Sequence, residues 1–188
     1  TNMRELPLAM NLNPTTLFQV ITDLVASLEK SGVRKLLLLN SHGGNDFKPL
    51  LRELYGTTSV QIFLCNWYQI IADQYGPIFD NRDDHAGEME TSLIMAYYPH
   101  LVANNDDGTL TADDGATATS RFTAINEGWV SITRPWHLLT TNSGSGNPHA
   151  ASPDKGRALM EVLVERLSGF LVELSNAEID QTFPFKQP

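Results

Sequence analysis

The sequence predicts an α/β fold in which helices flank a mostly parallel sheet. Amphipathic helical segments alternate with short apolar segments along the chain, an order typical of parallel sheets covered by helices. Residues 33–39 are almost uninterruptedly apolar, as expected for a strand that is buried on both faces. The 188 residues are enough for one domain with its own core, so we expect residues 1–188 to form a single domain.

The first predicted helix has clear start and stop signals. Asn13 can cap it and Pro14 suits its first position, while Gly32 is a natural end. Apolar residues then recur at helical spacing and predict one buried face, formed by Leu17, Val20, Ile21, Leu24, Val25 and Leu28.

Further elements follow from the same kind of pattern. In chain order we expect a helix over 45–55, a strand over 59–66, a helix from about His85 to Pro99, a surface loop over 103–120, a short strand over 130–132, a loop over 142–148 and a last helix that begins at Ser152 and Pro153.

Composition excludes several classes of partner. The formal net charge is −9, and an acidic surface repels phosphate, so we expect neither nucleic acid nor an anionic membrane as a partner. The apolar segments are too short to cross a bilayer.

Cys65 is the only cysteine and cannot form an internal disulfide, which fits a cytoplasmic location. No basic residue lies next to it in the sequence, so we interpret it as a core residue rather than a nucleophile.

Residues 40–45, Asn-Ser-His-Gly-Gly-Asn, directly follow the strongest predicted strand. His42 is therefore expected at the carboxyl end of the strand, where ligands bind in parallel sheets. Gly43 and Gly44 would let the backbone approach a ligand closely. Asn45 could cap the next helix or orient a substrate, and a capping or turn role for His42 is the structural alternative.

Residues 84–92, Asp-His-Ala-Gly-Glu-Met-Glu-Thr-Ser, form the second chemically suggestive segment. His85 and Glu88 are three residues apart and would share one helix face, whereas Glu90 would point elsewhere, so the two glutamates are expected to differ in role. Asp84 could orient the His85 imidazole. The structural alternative is a solvated helix start, which favours carboxylates in any case.

Three tryptophans are candidate pocket residues. Trp67 follows the second predicted strand, so we expect it at the same sheet edge as His42, either as core packing or as an aromatic wall for a flat substrate. Trp129 and Trp136 could cover a site or fill an interface, and the sequence leaves both options open.

These two segments resemble the signatures of the creatininase (creatinine amidohydrolase) family. Residues 40–45 are similar to its N-G-H-G-G-N motif, and residues 85–92 are similar to its H-A-G-E-x-E-T-S motif. Residues 98–102 and 146–156 also resemble family segments, so the likeness covers most of the chain.

The resemblance implies an α/β hydrolase that cleaves a C–N amide bond with a divalent metal (Zn, Mn or Fe), often as a binuclear centre. It implies His42 and Glu88 as metal ligands and His85 in proton transfer, with Glu90 as a second catalytic residue. Trp67, Gly43, Gly44, Asn45 and Asp84 are the implied substrate-binding residues. Creatininases proper have glutamate at the position of Gly44 and lack one at the position of Glu88, so the chain resembles a broader amidohydrolase branch.

One family feature is missing from these residues. The family's first strand supplies a Glu-x-His motif and a later Asp as metal ligands, and nothing before His42 reads Glu-x-His. The chain also opens at Thr1 without methionine. We expect either that the N-terminal strand–helix portion is absent from this sequence or that the chain is a degenerate homologue.

The sequence therefore predicts a metal-dependent amidohydrolase of a small, linear or cyclic amide that forms a homo-oligomer. The alternative is a family member that has lost catalysis and serves as an oligomeric or binding protein. A carbohydrate or nucleotide hydrolase with another residue set is a third option that no motif supports.

Overall fold

The computed structural model describes residues 3–82 and 85–186, and Asp84 lies outside these residues. The chain divides into two compact units. The first unit comprises residues 1–14 and 73–160, and the second comprises residues 15–72 and 161–188. The single domain expected for residues 1–188 stays a prediction.

The described residues form seven α-helices, three single-turn 3-10 helices and two strands. The helices are α1 Pro14–Lys30, α2 Lys48–Leu54, α3 Tyr75–Ile78, α4 Glu88–Tyr97, α5 Thr123–Asn126, α6 Trp136–Leu139 and α7 Pro153–Asn176; the strands are β1 Lys35–Asn40 and β2 Gln61–Asn66. Helix α7 contributes residues to both units. Along the described residues, no helix combines the length and apolar character needed to span a membrane.

The two strands lie in the second unit and pair in parallel. Their register runs from Lys35 opposite Gln61 to Asn40 opposite Asn66, so both strands end at the same edge. The predicted α/β class, with helices that flank a parallel sheet, is confirmed.

The core of the second unit forms between α1, α2 and the strands. Its buried residues are Val25, Phe47, Leu50, Leu54 and Val60. Leu17 and Ile21 pack against this cluster, as the predicted apolar face of α1 requires. Val20 and Leu24 are exposed, so this part of the prediction was wrong. The side of α1 that faces the core is centred near Val25, with Phe18 and Ile21 beside it, and Val20 and Leu24 lie at the edge of that face.

The short strand predicted over residues 130–132 is wrong. These residues have no regular secondary structure in the described chain. Val130 N donates to the carbonyl oxygen of Ala124 at 3.1 Å, which folds the segment back toward α5. An apolar, β-branched run becomes a strand only where a neighbouring strand pairs with it, and here a local turn takes up the hydrogen bond.

Candidate active site

The loop after β1 is organised by Asn40, which is only 2% exposed. Its amide Nδ2 donates to Asn66 Oδ1 at 2.8 Å, joining the ends of the two strands. Its Oδ1 accepts from His42 N and from Asn45 Nδ2, each at 3.2 Å. One buried amide therefore holds both ends of the predicted histidine–glycine loop.

His42 is exposed, and its side chain folds back over its own loop. The backbone N of Gly44 donates to His42 Nδ1 at 3.0 Å. A Cβ on Gly44 would lie 2.8 Å from His42 Cε1, so a larger residue at this position would require the exposed His42 ring to move. With Nδ1 accepting a hydrogen bond, the neutral ring carries its proton on Nε2.

Trp67 lies directly after β2 and beside the His42 loop. Its Nε1 donates to the carbonyl oxygen of Ser41 at 3.0 Å. The expectation that Trp67 shares the sheet edge with the histidine loop is therefore confirmed. The substrate contacts predicted for Trp67, Gly43, Gly44 and Asn45 stay predictions.

His85 lies in the first unit, outside the helix expected to contain it. Helix α4 begins at Glu88, and the extended Gly87 precedes it. Ala86 has a left-handed backbone with φ of 52°, which interrupts helical geometry. The expectation that His85 and Glu88 share a helix face was therefore wrong, and a different glutamate faces His85.

His85 faces Glu90, with Nδ1 and Oε2 3.6 Å apart. Glu90 Oε2 also accepts from Ala86 N at 2.6 Å, so the carboxylate fixes the turn that presents the histidine. The backbone of His85 exchanges hydrogen bonds with Ser145, at 3.1 and 2.8 Å. The ring meets the buried Trp136 edge to face, with centroids 5.6 Å apart. His85 is thus held through its backbone and its ring.

Glu88, in contrast, is fully buried. Its carboxylate accepts hydrogen bonds from the backbone N of Asp80 and Asn81, at 3.0 and 2.8 Å, and from Asn81 Nδ2 at 2.9 Å. Lys155 Nζ forms an ion pair with Oε1. Burial alone raises the pKa of Glu88, but the hydrogen bonds from Lys155, Asn81 and Asp80 outweigh it and lower the pKa.

The comparison with known families decides the assignment. The sequence profile of the creatininase family, described as creatinine amidohydrolase, matches residues 1–171. The chain belongs to the creatininase family.

Two curated proteins are similar to this chain over part of their length. A creatinine amidohydrolase of Pseudomonas putida is 30% identical over 111 residues, which cover 51% of this chain and 43% of that protein. A 3-dehydro-scyllo-inosose hydrolase of Thermotoga maritima is 29% identical over 91 residues, covering 44% of this chain and 29% of that protein. The matched region thus spans less than half the length of either relative.

Solved creatininase-family structures share the fold. A Bacteroides fragilis protein assigned as a creatinine amidohydrolase superposes with a TM-score of 0.83 at 34% identity, covering 95% of this chain and 68% of that one. A mutant creatininase in its Zn-Zn form has a TM-score of 0.69 at 23% identity, covering 92% of this chain and 69% of that one.

The family resemblance implies a metal, which needs several donor side chains that converge on one point. The described residues bring no three His, Cys, Asp or Glu side chains together in a group able to hold an ion. His42 Nδ1 accepts a hydrogen bond, which leaves the proton on Nε2, and Glu88 is paired with Lys155. A metal on either residue would displace one of these contacts. The described donor set as arranged therefore does not fit a metal, and the ligand roles of His42 and Glu88 stay predictions.

Sequence reasoning missed two residues of this region. Lys155 lies in a segment that resembles the family, and its local sequence does not mark it as the cation beside Glu88. Asn40 was noted only as the first letter of a motif, although an Asn that ends an apolar strand is itself a signal of a buried polar contact. Trp136, whose role the sequence left open, is buried, and its ring contacts that of His85.

Proposed function

We propose that this creatininase-family protein hydrolyses a C–N bond in a small, linear or cyclic amide. Family membership supports the reaction class, and the similar Pseudomonas putida protein is a creatinine amidohydrolase. The observation that carries the proposal is the pairing of His85 with Glu90 at 3.6 Å on a turn fixed by backbone hydrogen bonds.

The pair suits proton transfer to a leaving nitrogen. Because Nδ1 faces the carboxylate of Glu90, Nε2 is the ring nitrogen that can exchange a proton with a substrate. In hydrolysis, water adds its oxygen to the amide carbon and loses a proton, the C–N bond breaks, and the departing nitrogen takes a proton; His85 supplies that proton from Nε2 and regains one from the attacking water. Glu90 stabilises the imidazolium before transfer through the opposite charge next to Nδ1.

The residues at the sheet edge are proposed to bind substrate. Trp67 offers an aromatic surface, and the absence of a side chain at Gly43 and Gly44 would let a ligand approach their backbone once the His42 ring, which accepts from Gly44 N, turns away. Asn45 adds an amide, although its Nδ2 donates to Asn40. Asp84 stays a sequence-based prediction, because it lies outside the described residues.

A divalent metal is part of the proposal through the family alone. The creatininase structures with similar folds include a Zn-Zn form and a Mn form. Zn, Mn or Fe is the metal that we propose from the family; His42 and Glu88 stay its sequence-predicted ligands, and their present contacts with Gly44 and Lys155 do not fit that role. We derive no catalytic step through it.

The test is hydrolysis of creatinine and a panel of small linear and cyclic amides, with product amine or acid quantified. Each assay is run after chelation and after addition of Zn²⁺ or Mn²⁺. His85→Asn and Glu90→Gln are compared with the unchanged protein at the same metal content.

We expect His85→Asn to lower kcat by about 10²–10⁴, the span typical of a lost acid–base group. Glu90→Gln should lower kcat less, because His85 is retained and only its partner charge is lost. His100→Asn, an exposed histidine of the same unit, is the matched control and should leave kcat unchanged. Wild-type kcat in His85→Asn would reject the assignment. Failure to cleave any amide in all metal conditions would favour the non-catalytic binding protein.

We propose a small-molecule substrate, a homo-oligomeric state and a cytoplasmic location. Light scattering coupled to gel filtration measures the oligomer, and a monomer at micromolar concentration would contradict it.

A further inference from the structure

The carboxylate of Glu88 connects three separate segments of the first unit. Glu88 is the first residue of α4, Asp80 and Asn81 belong to the loop that precedes the His85 turn, and Lys155 lies in the first turn of α7. Lys155 Nζ also donates to Asp80 Oδ2 at 2.7 Å and to the carbonyl oxygen of Ala150 at 3.0 Å. The ion pair therefore joins the loop, α4 and α7 at one point.

A buried charge of this kind is costly unless it is fully paired. Glu88 has no exposed surface, while the Lys155 side chain is 23% exposed. Removal of Lys155 takes this cation away from the buried carboxylate, removal of Glu88 leaves Lys155 with Asp80 as its only ion-pair partner among the described residues, and removal of both takes away both charges of the pair. The pair thus contributes to the position of its segments more than to overall stability.

The two residues proposed for catalysis lie close to Glu88 in the sequence, one before it and one after it. His85 precedes it by three residues and Glu90 follows it by two. The Ala86 turn between His85 and α4 is fixed by Glu90, and α4 begins at Glu88 itself. A shift of the start of α4 would therefore move Glu90 away from His85.

We infer that Glu88 and Lys155 are positioning residues, whose buried ion pair sets the start of α4 and thereby the geometry of His85 and Glu90. The catalytic role of His85 and Glu90 in this inference rests on the proposed function, whereas the claim that the Glu88–Lys155 ion pair positions them does not. It also assigns Glu88 a role other than that of metal ligand.

The test compares Glu88→Gln, Lys155→Met, Lys155→Arg and the double variant E88Q/K155M. Asp154→Asn is the matched control, because it removes an exposed ion pair with Arg157 on the same helix. Three readouts are used: the NMR shift of the His85 ring protons in metal-free protein, the zinc bound after dialysis, and kcat and KM on the amide cleaved best.

We expect Glu88→Gln and Lys155→Met to shift the His85 ring resonances, since the position of these resonances depends on the ring current of Trp136. Both should also lower kcat by about 10²-fold, the effect typical of a displacement near 1 Å, with KM nearly unchanged. Lys155→Arg should restore part of the loss. Zinc content should equal that of the unchanged protein in every variant, and Asp154→Asn should match it in all readouts.

Two results would overturn the inference. Loss of bound zinc in Glu88→Gln with unshifted His85 resonances would make Glu88 a metal ligand. If the His85 resonances of Glu88→Gln and Lys155→Met match those of Asp154→Asn, the Glu88–Lys155 ion pair does not position the site. If Glu88→Gln fails to fold, the double variant, which buries no unpaired charge, gives the same comparison. If no amide is cleaved, the proposed function fails, while the NMR readout still decides the inference.

Discussion

Asn40 is the residue on which the order of the loop after β1 depends. Its side chain is almost fully buried, and it bonds to the loop and to the neighbouring strand end. A buried amide in such a network rigidifies the backbone only as long as each polar partner is satisfied.

Asn40→Ala should therefore destabilise the protein by about 1–3 kcal/mol, because it leaves the Asn66 amide and the His42 backbone N without their buried partner. Urea unfolding measures the change in free energy. Asn104→Ala removes one exposed hydrogen bond to Val102 and is the control, with little expected effect. Equal stability of the two variants would show that the Asn40 network contributes nothing.

The glutamates at positions 88 and 90 show why the chemistry of single residues is hard to predict from sequence. They fall on different sides of a helix and have different surroundings, and the difference in role that the sequence predicts for them stays a prediction. The sequence could not show that Glu88 is buried, because its cation Lys155 is 67 residues further along the chain. Only the tertiary fold reveals that Glu90 rather than Glu88 faces His85.

At the scale of elements, the approach of α4 and α7 is set by small residues. Ser92 on α4 is fully buried, and its Oγ accepts from Ser152 N at 3.1 Å. A Cβ added to Gly156 would lie 2.1 Å from the carbonyl oxygen of Ser92. Glycine at this position lets the two backbones pack in direct contact, in the region that holds the Glu88–Lys155 pair.

Gly156→Ala should destabilise the protein by at least about 1–3 kcal/mol, because the methyl group overlaps backbone rather than a side chain that can move. Gly169→Ala on the same helix is the matched control, since no atom lies within 4 Å of the added Cβ. That change should stabilise the protein by up to about 1 kcal/mol through helix propensity. Thermal unfolding of both variants measures the contrast, and a neutral Gly156→Ala would refute the close packing.

Elements with strong local signals were predicted well. The start of α1 at Pro14, the two parallel strands and the start of α7 at Pro153 are all confirmed, within a few residues at each end. Failures arose where local pattern and tertiary context diverge. Residues 130–132 have strand propensity but no pairing partner, and His85 has helical spacing relative to Glu88 but is separated from α4 by the left-handed Ala86.

At the scale of the whole molecule, carboxylates dominate the response to acid. Hydrogen bonds from Ser59 and Thr58 lower the pKa of Glu29, and those from Thr109 lower the pKa of Asp107. Backbone and side-chain hydrogen bonds from Thr182 lower the pKa of Asp180. Together with Glu88, these groups bind protons more weakly in the folded state than in the unfolded state.

The sign of the effect follows from linkage. A lowered pKa in the folded state stabilises the protein above the ordinary Asp and Glu values, which are about 4, and this stabilisation is lost as the pH falls through the folded pKa. The formal charge of −9 adds mutual repulsion at pH 7, which weakens toward the isoelectric point near 4.9. The free energy of unfolding should therefore be nearly level from pH 7 to 5 and fall steeply below pH about 4.

Glu88→Gln tests the share of this acid response that comes from the buried pair. At pH 7 the variant should be less stable by about 3 kcal/mol, the low end of the range for buried pairs, because Lys155 keeps some exposure. The gap should narrow as the pH falls, because protonation removes the same carboxylate charge from the unchanged protein. Urea unfolding at several pH values measures both curves, and Glu165→Gln, an exposed carboxylate on α7, is the control. A gap that stays constant down to pH 3 would show that the loss comes from packing rather than from the charge of Glu88.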